Sequence, residues 1–284
     1  MIRSIHTIRS NINYPYLNQA LEKFLFDSVA DEDIILFLWQ NDHALSLGYN
    51  QNLYAEADPE KLEESACFPI RRLSGGGKLI HNAGDLGFSF LTKKDNFDVN
   101  KQLTAISKAL EAFGLSEKAI TGCNYYKYFS RRMMHGVIEL ADTAISVDAL
   151  CDQIFQSFEE TYALQAIHMG AEDLDFGVIT SYEKIFADDG FLFNRNEDLP
   201  LKLKKTFSWG SFDLSLEVTD GEITKAQLFS DCQNADAIKK IGEQLEGMPY
   251  TCTALSQLIT EILVKEEENQ MANDLSSFLS TCFS

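Results

Sequence analysis

The longest apolar run in the chain, Ile34 to Trp39, is six residues long and lies between two polar turns. A run of this length is too short for a helix and predicts a β-strand that is buried on both faces. A second strand is predicted after the turn, at Ala44 to Gly48. No apolar stretch reaches the 18 residues of a membrane-spanning helix. The chain is therefore expected to build its core around a sheet.

Amphipathic helices alternate with the predicted strands. After Pro15, apolar residues recur at the spacing of one helix face, which predicts a helix over 15–29 from Leu17, Ala20, Leu21, Phe24, Leu25 and Val29. Further helices are predicted at 59–66, at 103–113 with Gly114 as the C-terminal cap, and at 150–162. Further strands are predicted at 68–72, 78–81, 86–91 and 137–147. This mixture indicates an α/β or α+β fold rather than a helical bundle.

A polar, turn-rich segment at 194–200 separates this part from a second one. There, apolar and polar residues alternate over 212–218, Asp220 and Gly221 make a turn, and 223–229 returns as the second strand of a hairpin. Helices are predicted at 235–246, 253–265 and 269–282. We expect two domains, at 1–195 and 196–284, of which the second is a small α+β domain.

Charge and cysteine spacing exclude several classes of protein. The chain has 43 Asp and Glu against 24 Lys and Arg, a net charge of −19, which opposes binding to polyanions. Neither nucleic acid nor a membrane is therefore expected as a partner. The six cysteines form no C-x-x-C pair, so we expect neither a disulfide framework nor a metal site. With no signal-peptide pattern at the N-terminus, a cytoplasmic location is expected.

The segment RRLSGGGKLIHNAGDLGFSF, residues 71–90, carries the strongest functional signal. Glycines lack Cβ, so the backbone N–H groups of Ser74, Gly75, Gly76 and Gly77 can approach an anion closely. Arg72 and Lys78 flank the loop with positive charge, which suits a phosphate or a mixed anhydride. A tight hairpin with solvated basic residues would explain the same residues. Both interpretations stay open at this point.

This segment resembles the RRxSGGGxVxHDxGNLxxS signature of the lipoate-protein ligase family. The resemblance continues upstream in YPYLNQALEKFLF and LSLGYNQN, and downstream in KKTFSWGSFDLSLEVTDGEITKAQLFSDC. It implies a catalytic α/β domain similar to biotin ligases and class II aminoacyl-tRNA synthetases, followed by an accessory domain. It also implies an enzyme that makes lipoyl-AMP from lipoate and ATP, with Mg²⁺ accompanying ATP. The lipoyl group would then pass to a lysine of a carrier domain, of the 2-oxoacid dehydrogenase E2 type or the glycine-cleavage H type.

By the resemblance, the residues at the acyl-adenylate contact positions are Arg72, Gly77, Lys78, Leu79 and Ile80, and His81 follows on the same strand. Arg72 could pair with phosphate oxygens, and Leu79 could form one wall of an apolar acyl slot. His81 could work in acid–base chemistry or could be a packed strand histidine, and both alternatives stay open.

The chain departs from the family pattern at several positions. Asn82 stands where the family has Asp, Asp85 where it has Asn, and Tyr49 where Arg is usual. The family's catalytic lysine precedes an S-G-x-A motif that is absent here. Lys127 lies one residue from that position and is the predicted catalytic lysine, although an exposed loop lysine is an equal alternative. We expect mobile, ligand-covering segments around 125–131 and 149–152.

Two other functions fit parts of the pattern. An octanoyl- or lipoyl-transferase of similar fold would use a cysteine nucleophile and no ATP, with Cys123 or Cys151 as the thiol. A non-catalytic protein could instead bind lipoate or a carrier domain without activating it.

Overall fold

The computed structural model describes residues 1–140, 143–193 and 198–283. These divide into two compact units. The first unit comprises Met1–Leu47, Pro59–Arg72 and Leu79–Leu192, and the second unit comprises Gly48–Asp58, Leu73–Lys78 and Phe193–Ser284. The predicted domain boundary between 195 and 196 lies outside the described residues.

Six strands form the main sheet of the first unit: β1 (Ser4–Arg9), β2 (Asp33–Trp39), β6 (Leu86–Lys93), β7 (Ile120–Tyr128), β8 (Arg131–Ile138) and β9 (Ala166–His168). Their order is β7-β8-β6-β2-β1-β9, and β2 pairs parallel with β1 and antiparallel with β6. A smaller sheet has the order β4-β3-β5, from β3 (Ala44–Leu47), β4 (Phe68–Arg71) and β5 (Leu79–His81).

Helices cover both faces of the main sheet, which explains why β2 is apolar at every position from 34 to 39. On one face, α4 (Val99–Ala112) and α5 (Val147–Tyr162) pack against a core that contains Leu36, Phe88 and Phe90. On the other face, α1 (Pro15–Ser28) packs against α6 (Phe176–Phe186) and the sheet. The unit is completed by α3 (Pro59–Glu64) and by most of α7 (Asp189–Phe193).

The second unit has a three-stranded antiparallel sheet, β10 (Leu201–Phe207), β11 (Gly210–Thr219) and β12 (Glu222–Phe229). Three helices bury its apolar face: α8 (Ala235–Glu243), α9 (Cys252–Lys265) and α10 (Asn269–Cys282). The short helix α2 (Leu53–Glu56) also belongs to this unit. The predicted fold class, a mixed α/β chain with a small α+β C-terminal part, is confirmed.

The sequence patterns misplace some elements. The strand predicted over 137–147 is wrong at 139–140 and 143–147, because β8 ends at Ile138 and Ser146 caps a helix that begins at Val147 by accepting from the Ala149 N–H. Residues 141–142 of that prediction lie outside the described residues. Strands β1, β7, β9 and β10 and helix α6 were not predicted. Among the described residues, no helix combines the length and the apolar character needed to cross a bilayer.

Candidate active site

A cavity opens in the first unit between α1, the small sheet and the α1-facing side of the main sheet. Its empty volume, counted together with its open mouth, is about 410 Å³. Polar and apolar side chains share its wall, which is formed by Asn18, Gln19, Glu22, Trp39, Asn41, Ser46, Ile70, Arg72, Leu79, His81, Gly122, His135, Gly136 and Val137. The predicted residues Arg72, Leu79 and His81 therefore meet in one site.

A buried hydrogen-bond network fixes one side of this cavity. Glu22 on α1 lies 3.1 Å, Oε1 to Nδ1, from His135 on β8, and both residues are 7% exposed. The Ser89 hydroxyl donates to the same Glu22 oxygen, and the Trp39 indole N–H donates to Ser89 Oγ at 3.0 Å. The network joins α1, β2, β6 and β8, so it holds the wall of the cavity in one arrangement.

Sequence reasoning missed Glu22 and His135. The predicted helix face included Leu17 and Phe24, yet these are only partly buried, whereas the polar residues Asn18 and Glu22 are buried. Asn18 and Glu22 are four residues apart and lie on one helix face. Polar residues at that spacing beside the apolar stripe were the available signal, because buried polar groups need partners.

Arg72 is the cation of the cavity. It is 3% exposed, and its Nη1 donates to the Ser46 carbonyl oxygen at 3.1 Å. Burial lowers the pKa of Arg72 to about 9, while the charge of Glu22 acts in the opposite direction. At neutral pH the guanidinium stays charged, and its burial strengthens its attraction for a ligand anion.

Successive side chains of β5 point to opposite faces of the strand, so the predicted residues at 79–81 do not all lie in the cavity. Leu79 and His81 line the cavity, but Ile80 is 64% exposed and lies on the other face of the strand. Burial, with Arg72 and His135 nearby, lowers the pKa of His81 to about 4. His81 is therefore neutral at pH 7. Gly122 makes room for Leu79, since a Cβ on Gly122 would lie 2.1 Å from a Leu79 methyl carbon.

The glycine loop, residues 73–78, belongs to the second unit. The Gly76 N–H donates to the Cys232 carbonyl oxygen at 2.9 Å, and Gly76 has a φ of 89°. A Cβ on Gly75 would lie 2.1 Å from the same oxygen, whereas a Cβ on Gly77 would meet nothing within 4 Å. Close packing against the Cys232 carbonyl therefore requires a glycine at position 75, and the positive φ favours a glycine at position 76. Neither reason applies to Gly77.

The LGYNQN segment and the remaining loop residues hold the glycine loop in place. A Cβ on Gly48 would lie 2.1 Å from the Gly76 carbonyl oxygen, and the Asn50 amide donates to the Ala235 carbonyl at 2.8 Å. Ser74 is fully buried, and its carbonyl oxygen accepts from the Tyr49 N–H at 2.9 Å. Lys78 donates to the Glu56 carbonyl oxygen at 2.8 Å. These contacts, all inside the second unit, fix the conformation of the loop.

At two of the departures from the family pattern, a neighbouring residue supplies the charge that the family residue would bring. The Asp85 carboxylate accepts from the Asn82 N–H and from the Leu140 N–H, both at 3.0 Å. The exchange of Asp and Asn between positions 82 and 85 therefore keeps one carboxylate in this turn. Tyr49 stands where the family usually has Arg, and the Lys239 ammonium lies 5.4 Å from its ring centroid, which brings a cation to that position.

The structure does not bring Lys127 to the cavity. On β7, Lys127 shares a face with Tyr125, which packs against the α4 and α5 core, and β8 presents His135 to the cavity from the opposite face. The proposed catalytic role of Lys127 stays a prediction.

Both expected covering segments lie in regular secondary structure. Residues 125–131 form the end of a hairpin in which Tyr128 pairs with Arg131 across a two-residue turn. Residues 149–152 lie inside α5, where Leu150 and Cys151 are buried in the core. Their apolar side chains continue the buried face of that helix, and the predicted mobility and ligand-covering role of 149–152 stay predictions.

Comparison with known proteins defines the class. The first part, residues 14–128, matches the model of the lipoyl protein ligase A/B catalytic domain. The fold of this part is thus that of a lipoyl ligase catalytic domain. Residues 197–279 match the bacterial lipoate protein ligase C-terminus, in the order expected. The chain belongs to the lipoate-protein ligase A family.

Full-length relatives agree with that assignment. The chain is 25% identical to lipoate-protein ligase A of Psychrobacter cryohalolentis, over 87% of this chain and 89% of that protein. It is 22% identical to lipoate-protein ligase A of Bdellovibrio bacteriovorus, over 89% of this chain and 91% of that protein.

Solved structures share the fold. P. falciparum LipL1 in complex with lipoate superposes with a TM-score of 0.83 at 19% identity, over 97% of this chain and 99% of that one. A lipoate-protein ligase A bound with ATP gives 0.57 at 16% identity, over 68% and 99%. A bipartite lipoate protein ligase of Thermoplasma acidophilum, studied with its E2 lipoyl domain, gives 0.56 at 15% identity, over 70% and 100%.

Proposed function

We propose that the protein activates lipoate with ATP to lipoyl-AMP and transfers the lipoyl group to a lysine of a lipoyl-carrier domain. The observation that carries this proposal is that a catalytic and a C-terminal lipoate ligase segment occur in one chain and in order. The two lipoate-protein ligases A named above align with this chain over 89% and 91% of their own length.

The cavity and the loop supply what such a reaction needs. In the cavity, Leu79 and Trp39 offer apolar surface to an acyl chain, and the buried guanidinium of Arg72 offers charge to a carboxylate or phosphate. In the second unit, the glycine loop places Gly77 where no side chain of this unit would crowd a Cβ. We assign to Gly77 and its neighbours Ser74 to Lys78 the approach of backbone to phosphate.

Mg²⁺ enters this proposal only as the partner of ATP. Within 1–140, 143–193 and 198–283, no group of three or more His, Cys, Asp or Glu could hold a metal ion. No step is assigned to the ion. Magnesium commonly binds through substrate phosphates with few protein ligands.

The acyl acceptor is proposed to be a lysine on a carrier domain of the E2 or H type. The Thermoplasma acidophilum ligase, whose fold this chain shares, was studied with its E2 lipoyl domain. We propose no nucleic-acid or membrane partner, in keeping with the net charge of −19. The expected location is the cytoplasm, where ATP is available.

Incubation of the protein with apo-carrier, ATP and lipoate tests the proposal. The expected products are a carrier with the mass of one added lipoyl group, AMP and pyrophosphate. Omission of ATP or lipoate should abolish the mass gain, and a carrier with its acceptor lysine changed to Arg is the control. Formation of ADP, or transfer without nucleotide, would contradict the proposal. Lipoate binding with no mass gain would favour the non-catalytic alternative.

The thiol alternative receives little support from the two cysteines. Burial raises the pKa of Cys123 and raises that of Cys151 to about 11, so both thiols are protonated at neutral pH. We expect Cys123→Ser and Cys151→Ser to retain ATP-dependent transfer. Lys127→Ala tests the remaining prediction directly: loss of AMP formation in a folded variant would support a catalytic role, and unchanged AMP formation would contradict it.

A further inference from the structure

The hairpin between β7 and β8 ends in an exposed aromatic pair. Phe129 is 82% exposed and Tyr128 is 46% exposed. Their rings form an edge-to-face pair with centroids 4.6 Å apart. Because both rings lie largely outside the core, their contribution to folding through burial is small.

The backbone at Phe129 makes this exposure more informative. Phe129 has a φ of 48°, in the left-handed region that Gly, Asn and Asp occupy most easily. A two-residue hairpin turn is made with less strain by Asn-Gly or Asp-Gly. The turn thus holds a bulky residue in an unfavourable conformation without burying it. Folding of this protein alone does not explain the aromatic residue at this position.

Positive charge surrounds the pair. Residues 93–95 and 127–132 contain five Lys and Arg against one acidic residue, Asp95, in a chain with 43 acidic against 24 basic residues. Lys94 is exposed, and its N–H donates to the Ser130 carbonyl oxygen at 2.7 Å. Arg132 Nη1 donates to the Phe129 carbonyl oxygen at 2.8 Å. Lys93 is largely covered and faces Asp31 at 3.5 Å, so it is left out of the surface that follows.

We define the basic tip as Lys94, Tyr128, Phe129 and Arg132; Arg131 is left out because its Nε is buried and its Nη2 is bonded to Asp27. The distance of the basic tip from the cavity suits a partner that must reach the cavity. Arg131 precedes His135 by four residues of β8, about 13 Å at the rise of a strand. Arg131 Nη2 also donates to the Asp27 carbonyl oxygen at 2.8 Å, on the helix that brings Glu22 to the cavity.

We propose that the basic tip is the docking surface for an acidic face of the acyl-accepting carrier domain. This inference rests on the proposed function, because it assumes that the partner is the domain that receives the acyl group. Aromatic and arginine side chains dominate the energetically important centres of protein interfaces. A small domain with a local acidic face can contact the basic tip without contacting the acidic remainder of the surface. An extended polyanion or an anionic membrane would also meet the acidic remainder of the surface.

Two substitutions test the basic tip without changing a residue that lines the cavity. Phe129→Gly removes the anchor and suits the left-handed conformation, so the midpoint of thermal unfolding should stay the same or rise. Lys94→Glu reverses an exposed charge and keeps the backbone N–H that donates to the Ser130 carbonyl oxygen.

The probe is the apo form of an acidic E2-type lipoyl domain, with binding measured by calorimetry at several salt concentrations. Phe129→Gly should raise the Kd about tenfold. Lys94→Glu should raise it and flatten its salt dependence.

Matched controls separate this surface from general effects. Phe129→Tyr keeps an aromatic ring in the turn and should bind as the wild type does. Lys108→Glu makes the same charge change at an exposed position of α4 and should leave the Kd unchanged. AMP formation from lipoate and ATP without carrier should be equal for the wild type, Lys94→Glu and Lys108→Glu. Equal carrier Kd values for the wild type and Phe129→Gly, or wild-type binding to phosphatidylserine vesicles but not to the carrier, would overturn the proposal. A wild type that forms no AMP refutes the proposed function instead, while the binding series still decides the role of the basic tip.

Discussion

Glu22 and His135 are separated by 113 residues in sequence and lie 3.1 Å apart in the cavity wall, both nearly inaccessible to solvent. Glu22 also accepts from Ser89, so one carboxylate oxygen joins a helix to two strands of the main sheet. Removal of one partner leaves a buried polar group without its hydrogen bond, which is costly inside a protein.

We therefore expect Glu22→Gln and His135→Gln each to lower the free energy of unfolding by about 1–3 kcal/mol. The double variant should lose less than the sum of the two, with a coupling of about 0.5–3 kcal/mol, because the residues share one interaction. Urea unfolding measures all three values. Glu111→Gln, at an exposed position of α4, is the control and should be neutral. Strict additivity would show that the two groups do not interact.

The glycine loop allows a paired test of folding against ligand binding. Gly75→Ala places a methyl group against the Cys232 and Gln233 carbonyl oxygens and should destabilise the protein by about 1–3 kcal/mol or more. Gly77→Ala meets nothing within 4 Å and should change stability by less than about 0.5 kcal/mol. If Gly77 is where backbone approaches phosphate, Gly77→Ala should still raise the KM for ATP. A Gly77→Ala variant with unchanged ATP kinetics would remove Gly77 from the site.

His81 gives the protein a defined sensitivity to acid. Its pKa falls from the usual 6.5 to about 4 in the folded protein, so below pH 6.5 the unfolded chain binds a proton that the folded one rejects. The free energy of unfolding should thus decrease as pH falls from about 6.5 to about 4, by about 3 kcal/mol from this residue. His81→Gln should lack this contribution. Identical pH slopes for the two proteins over that interval would contradict the expectation.

Arg72 should matter more for chemistry than for binding of the carrier. Its buried guanidinium is the cation of the cavity, and loss of a charge-assisted hydrogen bond costs about 1.5–3 kcal/mol. Arg72→Ala should therefore slow pyrophosphate release about ten- to a hundredfold. Circular dichroism and the carrier Kd serve as controls for the fold and for docking. A folded Arg72→Ala variant with normal pyrophosphate release would exclude the assigned role.

Local patterns were sufficient to predict the elements that bury a repeating apolar face. The run from Ile34 to Trp39 and the helix from Pro15 are examples, since strand length and helical spacing are written directly in neighbouring residues. The same patterns could not orient the first helix, whose buried face includes Asn18 and Glu22. That choice depends on His135 and other distant partners, and no local periodicity encodes such pairings.

The loop residues show a similar division. The R-x-S-G-G-G segment stood out from the sequence because successive glycines and flanking cations are rare in so acidic a chain. The sequence alone could not tell which of the three glycines is required by packing, which by backbone conformation and which by a ligand. Gly75 is required by the close approach of the Cys232 carbonyl, more than 150 positions away, whereas a Cβ on Gly77 would meet nothing within 4 Å.

The assignment of Gly48–Asp58 and Leu73–Lys78 to the second unit has a consequence for synthesis of the chain. The polypeptide passes between the two units five times, so a cut near residue 195 would not release either unit whole. During synthesis on the ribosome, the hydrogen bond from the glycine loop to the Cys232 carbonyl can form only after the residues around Cys232 have been translated. The phosphate-binding conformation proposed for this loop is thus a late product of translation, and a nascent chain that stops before residue 232 would have a cavity but no assembled loop.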